Sequence, residues 1–364
     1  MRLVMTTLYH TQGAICMHCT IPSCDRQGVA IIKPGDVLHD TGRTGRTIPW
    51  HEHKQQAMAL AAGLLDRHPE QAARMERCAD RLTFRRDWSD PAQPGRLRLA
   101  QAHFCRVRLC PMCQWRRSLK MHGQLRQCID YLDRQRAREG RRPYRYILLT
   151  LTVRNAAGPD LAAALDALQE GWQRLLRRAP VRKVVQGYVR AVEITYNRTR
   201  DDYHPHIHAL LAVNPSYFTG RDYLPHATWR DLWQQSARLD YAPQVDARRA
   251  SGGPDAIAEV AKYATKASDY LIPDDIDRMA DVLDTLLTSC AKRRFAGWGG
   301  CLGDAHRALQ LDDVEDGDLV HTGYDDAGES DAGAALWSWD WYVGPRLYIS
   351  TEQGVIPHAY PATP

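Results

Sequence analysis

His206 and His208 stand one residue apart in the stretch YHPHIHALLAV, with Ile207 between them. On a strand, alternate side chains share a face, so the two imidazoles project together while Ile207 points the other way. Paired neutral imidazoles supply half of a site for a borderline divalent ion such as Mn or Zn, rather than Ca. The plain alternative is a pair of structural or exposed histidines on a half-buried strand. Glu193 lies in AVEIT, on the apolar run before the turn, and across an antiparallel pair its carboxylate can face the imidazoles. As a third ligand it would leave coordination positions open for a phosphate oxygen. A buried ion pair and a solvent-facing carboxylate are the competing readings of Glu193.

A second group lies in AIAEVAKYATKASDY. On a helix, Glu259 and Tyr263 are four apart and share a face, as do Lys262 with Lys266 and Tyr263 with Lys266. A phenol is a poor nucleophile at its ordinary pKa of about 10, but neighbouring cations favour the phenolate. A phenolate beside a metal-polarised phosphodiester can attack it. Taken alone, the stretch reads as a helix with a surface Glu–Lys pair and a packing tyrosine.

A third group is made of cysteines, ten in all. Cys110-Pro-Met-Cys113 is a tight knuckle whose two thiolates can reach one tetrahedral zinc, and Cys105 and the distant Cys78 can complete a closed, structural set. Free thiols are the alternative. Arg106, Arg108, Arg116, Arg117 and Lys120 flank the knuckle, as expected if it lies on DNA. Cys16, Cys19 and Cys24, with His10 or His18, lack a clear fourth ligand and read as a non-site.

These residues must be positioned by a chain of 364 residues, enough for two domains or one large domain with appendages. With 44% hydrophobic and 25% charged residues it can bury a sizeable core and is not a mainly disordered chain. No apolar run reaches the length of about eighteen that a spanning helix needs, and the first residues lack a secretory layout, so we expect a cytoplasmic protein without a membrane partner. The net charge is only +5, but it is unevenly spread: Arg74 to Lys120 holds twelve basic against four acidic residues, and Asp312 to Asp331 holds nine acidic residues and no Lys or Arg. The acidic block reads as a solvated, disordered linker. The sharper reading is a phosphate mimic that covers the basic face.

Periodicity predicts a helix over 51–77, a helix after the knuckle ending near Arg138, a strand over 144–153 and a helix over 160–178. Strands over 187–196 and 206–213 form a hairpin. A helix over 226–239, a strand over 242–248 and a helix over 254–270 follow. This is an α+β pattern, an antiparallel sheet flanked by helices, with a small cysteine-rich module. The expected organisation is an N-terminal extension (1–72), a zinc and DNA-binding module (73–138), a catalytic domain (140–305) and an acidic C-terminal tail (306–364).

The segments CRVRLCPMCQWRRS, ILLTLTV, GYVRAVEIT, HPHIHALLAV, EVAKYATK and RRFAGWGG, in that order, resemble the rolling-circle replication initiators of small plasmids, within the HUH endonuclease superfamily. The resemblance spans roughly residues 78 to 303. It implies an RRM-like or palm-like nuclease core with Mn or Mg on His206 and His208. It implies that Tyr263 nicks one strand at the origin, keeps the 5′-phosphate and releases a 3′-OH for a host polymerase. It also implies that Glu259 activates water at termination. No GxxxxGK[ST] loop occurs, so a host helicase is expected. Tyr270 lies seven residues after Tyr263. Glu259 favours a single-tyrosine enzyme in which Tyr270 packs, whereas a transposase of a single-strand element would need both tyrosines. A third reading is a non-catalytic zinc DNA-binding protein with structural histidines.

Overall fold

The computed structural model describes residues 32–42, 45–87, 95–250, 264–265, 267–323 and 336–351. In chain order the elements are α1 (Trp50–Leu64), α2 (Pro69–Glu76), β1 (Arg81–Asp87), β2 (Arg96–Ala102), α3 (Pro111–Arg138), β3 (Arg145–Thr152), α4 (Leu161–Arg177), α5 (Ala179–Val184), β4 (Val185–Asn197) and β5 (Asp202–Val213). Then come α6 (His226–Ala237), β6 (Val245–Ala250), β7 (Ala264–Thr265), α7 (Ala267–Tyr270), α8 (Ile276–Cys290), β8 (Ala296–Gly299), α9 (Gly300–Ala308), β9 (Leu336–Tyr342) and β10 (Leu347–Ser350). The fold is α+β, with two sheets flanked by helices.

The larger sheet has the order β6-β3-β5-β4-β7, with β8 also pairing β4. The β4–β5 hairpin sets Glu193 directly opposite His206, and β3 sets Thr150 opposite His208. One face, carrying Leu149, Leu151 and Ile207, lies under α4 and α6, whose Trp172, Trp229 and Trp233 are buried. The indole N–H of Trp233 donates to the Thr152 carbonyl at 2.8 Å, tying α6 to the end of β3. The opposite face carries Thr150, Glu193, His206 and His208.

The smaller sheet, β10-β9-β1-β2, carries the Cys78 end of the cysteine module. Phe84 on β1 packs edge-on against Trp50 of α1 and Trp339 of β9, at 5.6 and 5.5 Å between ring centres. The helix expected over 51–77 is two helices, because Pro69 starts a new one. The helix expected over 254–270 is corrected only at Ala264 and Thr265. Residues 251–263 and 266 lie outside the described residues. Among the described residues, Ala264 and Thr265 pair with β4 as a parallel strand and Ala267–Tyr270 is helical. At these two residues helical spacing is outweighed by the edge of β4, whose backbone groups need partners.

The expectation of a wholly solvated acidic tail is corrected as well. Residues 312–320 pack on α3, and β9 and β10 complete the smaller sheet. Three tryptophans at alternate positions, Trp337, Trp339 and Trp341, give β9 an apolar face to bury. Residues 324–335 and 352–364 lie outside the described residues.

Candidate metal centre and active site

Glu193, His206 and His208 converge on the face of the larger sheet opposite α4 and α6. They are 3, 8 and 7% exposed. Both imidazoles turn Nε2 toward one oxygen, Oε2 of Glu193, which lies 3.4 Å from His206 and 3.1 Å from His208. Ligands at about 2.0–2.2 Å from a common ion stand about 3.0–3.5 Å apart, so the three donors fit a divalent ion. The other ring nitrogens are held: His206 Nδ1 donates to the His204 carbonyl at 3.1 Å, and His208 Nδ1 lies 3.1 Å from Thr150 Oγ1. A carbonyl only accepts, so the Nδ1 of His206 carries the proton and its Nε2 lone pair is left for a ligand. Burial alone would raise the Glu193 carboxyl. Hydrogen bonds and charge from His206 and His208 outweigh it and hold the group well below the usual carboxylate range.

Thr150 and His204 were not singled out from the sequence. His204 shares the face of His206, 5.1 Å away between ring centres, and its Nδ1 meets Asn155 Oδ1 at 2.7 Å. The alternation His204-Pro-His206-Ile-His208 carried the signal for it. Thr150 left none, because one hydroxyl on an apolar strand acquires meaning only through the β3–β5 register.

Cys78, Cys105, Cys110 and Cys113 form the second cluster, all buried, with one sulfur from each within 4.8 Å of the others. Cys113 Sγ lies 3.6 Å from the sulfurs of both Cys78 and Cys105. Sulfurs bound tetrahedrally at about 2.3 Å from zinc stand about 3.8 Å apart, so the set fits that ion. Cys110 caps α3 and Pro111 opens it, which puts Cys113 in the first turn. Arg106 takes a left-handed conformation, φ 60°, and its N–H donates to Cys113 Sγ at 3.2 Å. Burial pushes the Cys78 and Cys110 thiols up. Burial also opposes ionisation of Cys113, but hydrogen bonds from the other three thiols and the charge of Arg117 bring it well down. Lys54, missed in the sequence, is fully buried and donates to the Cys78 carbonyl at 2.8 Å, placing a cation beside the thiolates. Cys16, Cys19 and Cys24 lie outside the described residues.

Of the five basic residues beside the knuckle, Arg116, Arg117 and Lys120 are buried, Arg108 is half-buried and Arg106 is exposed. Arg116, Arg117 and Lys120 are 3, 4 and 1% exposed. Arg116 donates to the carbonyls of Leu319 and Val320, Arg117 to that of Glu315, and Lys120 to Asp312 and the Asp318 carbonyl. Arg106 donates to the Asp316 carbonyl at 2.5 Å, and Arg108 to Glu315 Oε2 at 3.2 Å. Residues 312–320 of the acidic block thus pack against these basic residues rather than standing free in solvent. Its carboxylates and carbonyls supply the acceptors that buried guanidinium groups require.

Tyr263, Glu259, Lys262 and Lys266 lie outside the described residues. Ala264, the residue after Tyr263, stands in register with Glu193 on the next strand. Tyr270 is 1% exposed, and its hydroxyl donates to the Leu109 carbonyl at 3.2 Å, so it packs rather than facing the metal centre. No helix among the described residues is long and apolar enough to cross a membrane.

A family model described as "Replication protein" matches residues 96–349. The chain is 36% identical over 345 residues to "Protein rep" of Bacillus amyloliquefaciens, covering 86% of this chain and 97% of that protein. It is 37% identical over 313 residues to "Protein rep" of Streptococcus pneumoniae serotype 2, covering 83% and 93%. It is 32% identical over 206 residues to "Replication protein" of Staphylococcus aureus, covering 54% and 87%. No solved structure matches. With the family model spanning most of the chain, and relatives matched almost from end to end, the chain belongs to the replication-protein family of rolling-circle plasmid initiators.

Proposed function

We propose that this initiator nicks and rejoins one strand of plasmid origin DNA through a 5′-phosphotyrosine on Tyr263, starting and ending rolling-circle replication in the cytoplasm. The observation that carries the reading is the convergence of Glu193, His206 and His208 beside the strand that begins one residue after Tyr263. Tyr263 is joined by one peptide bond to Ala264, the residue in register with Glu193.

A divalent ion held by His206, His208 and Glu193, Mn or Mg, would polarise the scissile phosphate when bound. The residues of the chain do the rest. The Tyr263 phenolate attacks phosphorus, and the 3′-oxygen leaves to become the 3′-OH that a host polymerase extends. Lys262 and Lys266 favour the phenolate. The phosphotyrosine keeps the bond energy for rejoining, and Glu259 draws a proton from water when the cycle ends by hydrolysis. The four cysteines would hold a structural zinc. A host helicase opens the duplex ahead of the polymerase.

The test is a denaturing gel of the protein incubated with Mn and a single-stranded oligonucleotide from the nick region of its replicon. A covalent adduct is expected. It is lost in Tyr263→Phe and kept, at saturating Mn, in Tyr270→Phe. An adduct that persists in Tyr263→Phe would remove the assigned nucleophile. No adduct on any origin strand, with zinc still bound, would leave a zinc DNA-binding protein.

A further inference from the structure

The open edge of β4, which carries Glu193, is bordered by two segments. β8 pairs residues 188–191, and β7 pairs Glu193 and Ile194. Both segments are tied to one place, the loop between Cys105 and Cys110.

The first tie runs through a buried carboxylate. Glu315, 6% exposed, accepts the N–H groups of Phe295 and Ala296 on Oε1 at 2.7 and 2.9 Å, and Arg108 Nη2 on Oε2 at 3.2 Å. The Arg108 guanidinium also lies 4.5 Å over the Phe295 ring and donates to the Arg293 carbonyl at 2.9 Å. The Phe295 carbonyl in turn accepts the N–H of Val192, the residue before Glu193, at 2.9 Å. The second tie runs through Tyr270, five residues after the β7 strand ends. Its hydroxyl donates to the Leu109 carbonyl at 3.2 Å and accepts from Gln114 Nε2 at 3.3 Å. Arg108 and Leu109 are neighbours in the loop whose ends are Cys105 and Cys110, so the shape of the four-cysteine set fixes both anchors at once.

We infer that the Cys105–Cys110 loop is the scaffold of the nuclease edge, with Glu315 and Tyr270 as positioning residues that set the geometry of the Glu193–His206–His208 centre from outside it. The inference rests on the proposed metal centre. It also explains the acidic segment: Glu315 acts as a clasp whose two oxygens serve different modules. A chain of hydrogen-bonded and packed groups carries coupling when breaking one link loosens the far end. Loss of a partner that orients a metal site without binding the metal characteristically weakens affinity by about 10–100-fold.

The experiment uses the full, zinc-loaded chain, with Mn(II) affinity read by electron paramagnetic resonance, zinc content by elemental analysis and fold by circular dichroism. Glu315→Gln can still accept the two backbone N–H groups through its amide oxygen but turns an NH2 toward Arg108. Tyr270→Phe removes only a hydroxyl. The double variant is expected to keep zinc and fold while binding Mn at least about tenfold more weakly, and each single variant to fall between. Should the double variant fail to fold, the single variants carry the same comparison. Mn affinity within about twofold of wild type in both single variants would overturn the coupling, since such a change is below what lost orientation produces. Wild-type protein that holds zinc but binds no Mn, like a His208→Ala reference, would instead overturn the centre itself.

Discussion

Thr150 Oγ1 lies 3.1 Å from His208 Nδ1, directly across the β3–β5 ladder. With the hydroxyl accepting the Nδ1 proton, Nε2, the nitrogen facing Glu193, would be the metal-binding atom. Thr150→Val keeps the shape and removes the acceptor. It is expected to weaken Mn binding by about 10–100-fold, with Thr150→Ser restoring most of it. Titration of Mn followed by electron paramagnetic resonance checks this, and an unchanged affinity in the valine variant would show that the tautomer is set elsewhere.

Arg116 is expected to matter for stability rather than for DNA affinity. Its guanidinium lies within 6 Å of the Trp50, Phe104 and Trp115 rings and serves the Leu319 and Val320 carbonyls. Arg116→Ala strips both acceptors, at a cost of about 1–3 kcal/mol for each that stays buried. A denaturant titration should show that loss. The slope of log affinity for duplex DNA against log salt should stay as in wild type, whereas a true phosphate contact would reduce it by about 0.9.

Gly300 closes the approach of α9 to β4. Its φ is +55°, and a Cβ there would lie 2.2 Å from the Gln186 carbonyl oxygen, which belongs to backbone and cannot swing away. Gly300→Ala therefore loses about 1–2 kcal/mol from the left-handed conformation alone, and more from displacement of β4. A drop in melting temperature with reduced Mn affinity is the expected result. A melting curve superimposable on wild type would contradict it.

The histidine pair and the four cysteines were legible because their chemistry depends on spacing along one strand or one knuckle. Glu193 was legible as a candidate, since the hairpin register follows from two apolar runs and a polar turn. The smaller sheet was not. β1 and β2 are rich in arginine, which masks strand alternation, and β9, the other partner of β1, lies more than 200 residues away. The destination of the basic residues was hidden for the same reason: a count along the chain records a cationic block and an anionic block, but not that one folds onto the other. The strand at Ala264 and Thr265 was missed because the run around it has helical spacing, while the need of β4 for a partner strand is a tertiary demand.

His53 gives the fold a built-in acid limit. It stacks on Trp115 with ring centres 4.9 Å apart, and burial brings its pKa from 6.5 down to about 4, against a smaller opposing hydrogen bond from Gln56. The folded chain therefore resists the proton that the unfolded chain accepts. Between pH 6.5 and about 4 the unfolded state binds more protons, so stability falls as pH falls through that window. Above 6.5 the contribution is complete, and below about 4 no more is lost from this residue. The full loss is about 3 kcal/mol. His53→Phe keeps an aromatic ring against Trp115 and cannot titrate. Urea midpoints measured at pH 7.5 and pH 4.5 should fall less in the variant than in wild type. An equal fall in both would place the acid sensitivity in other groups.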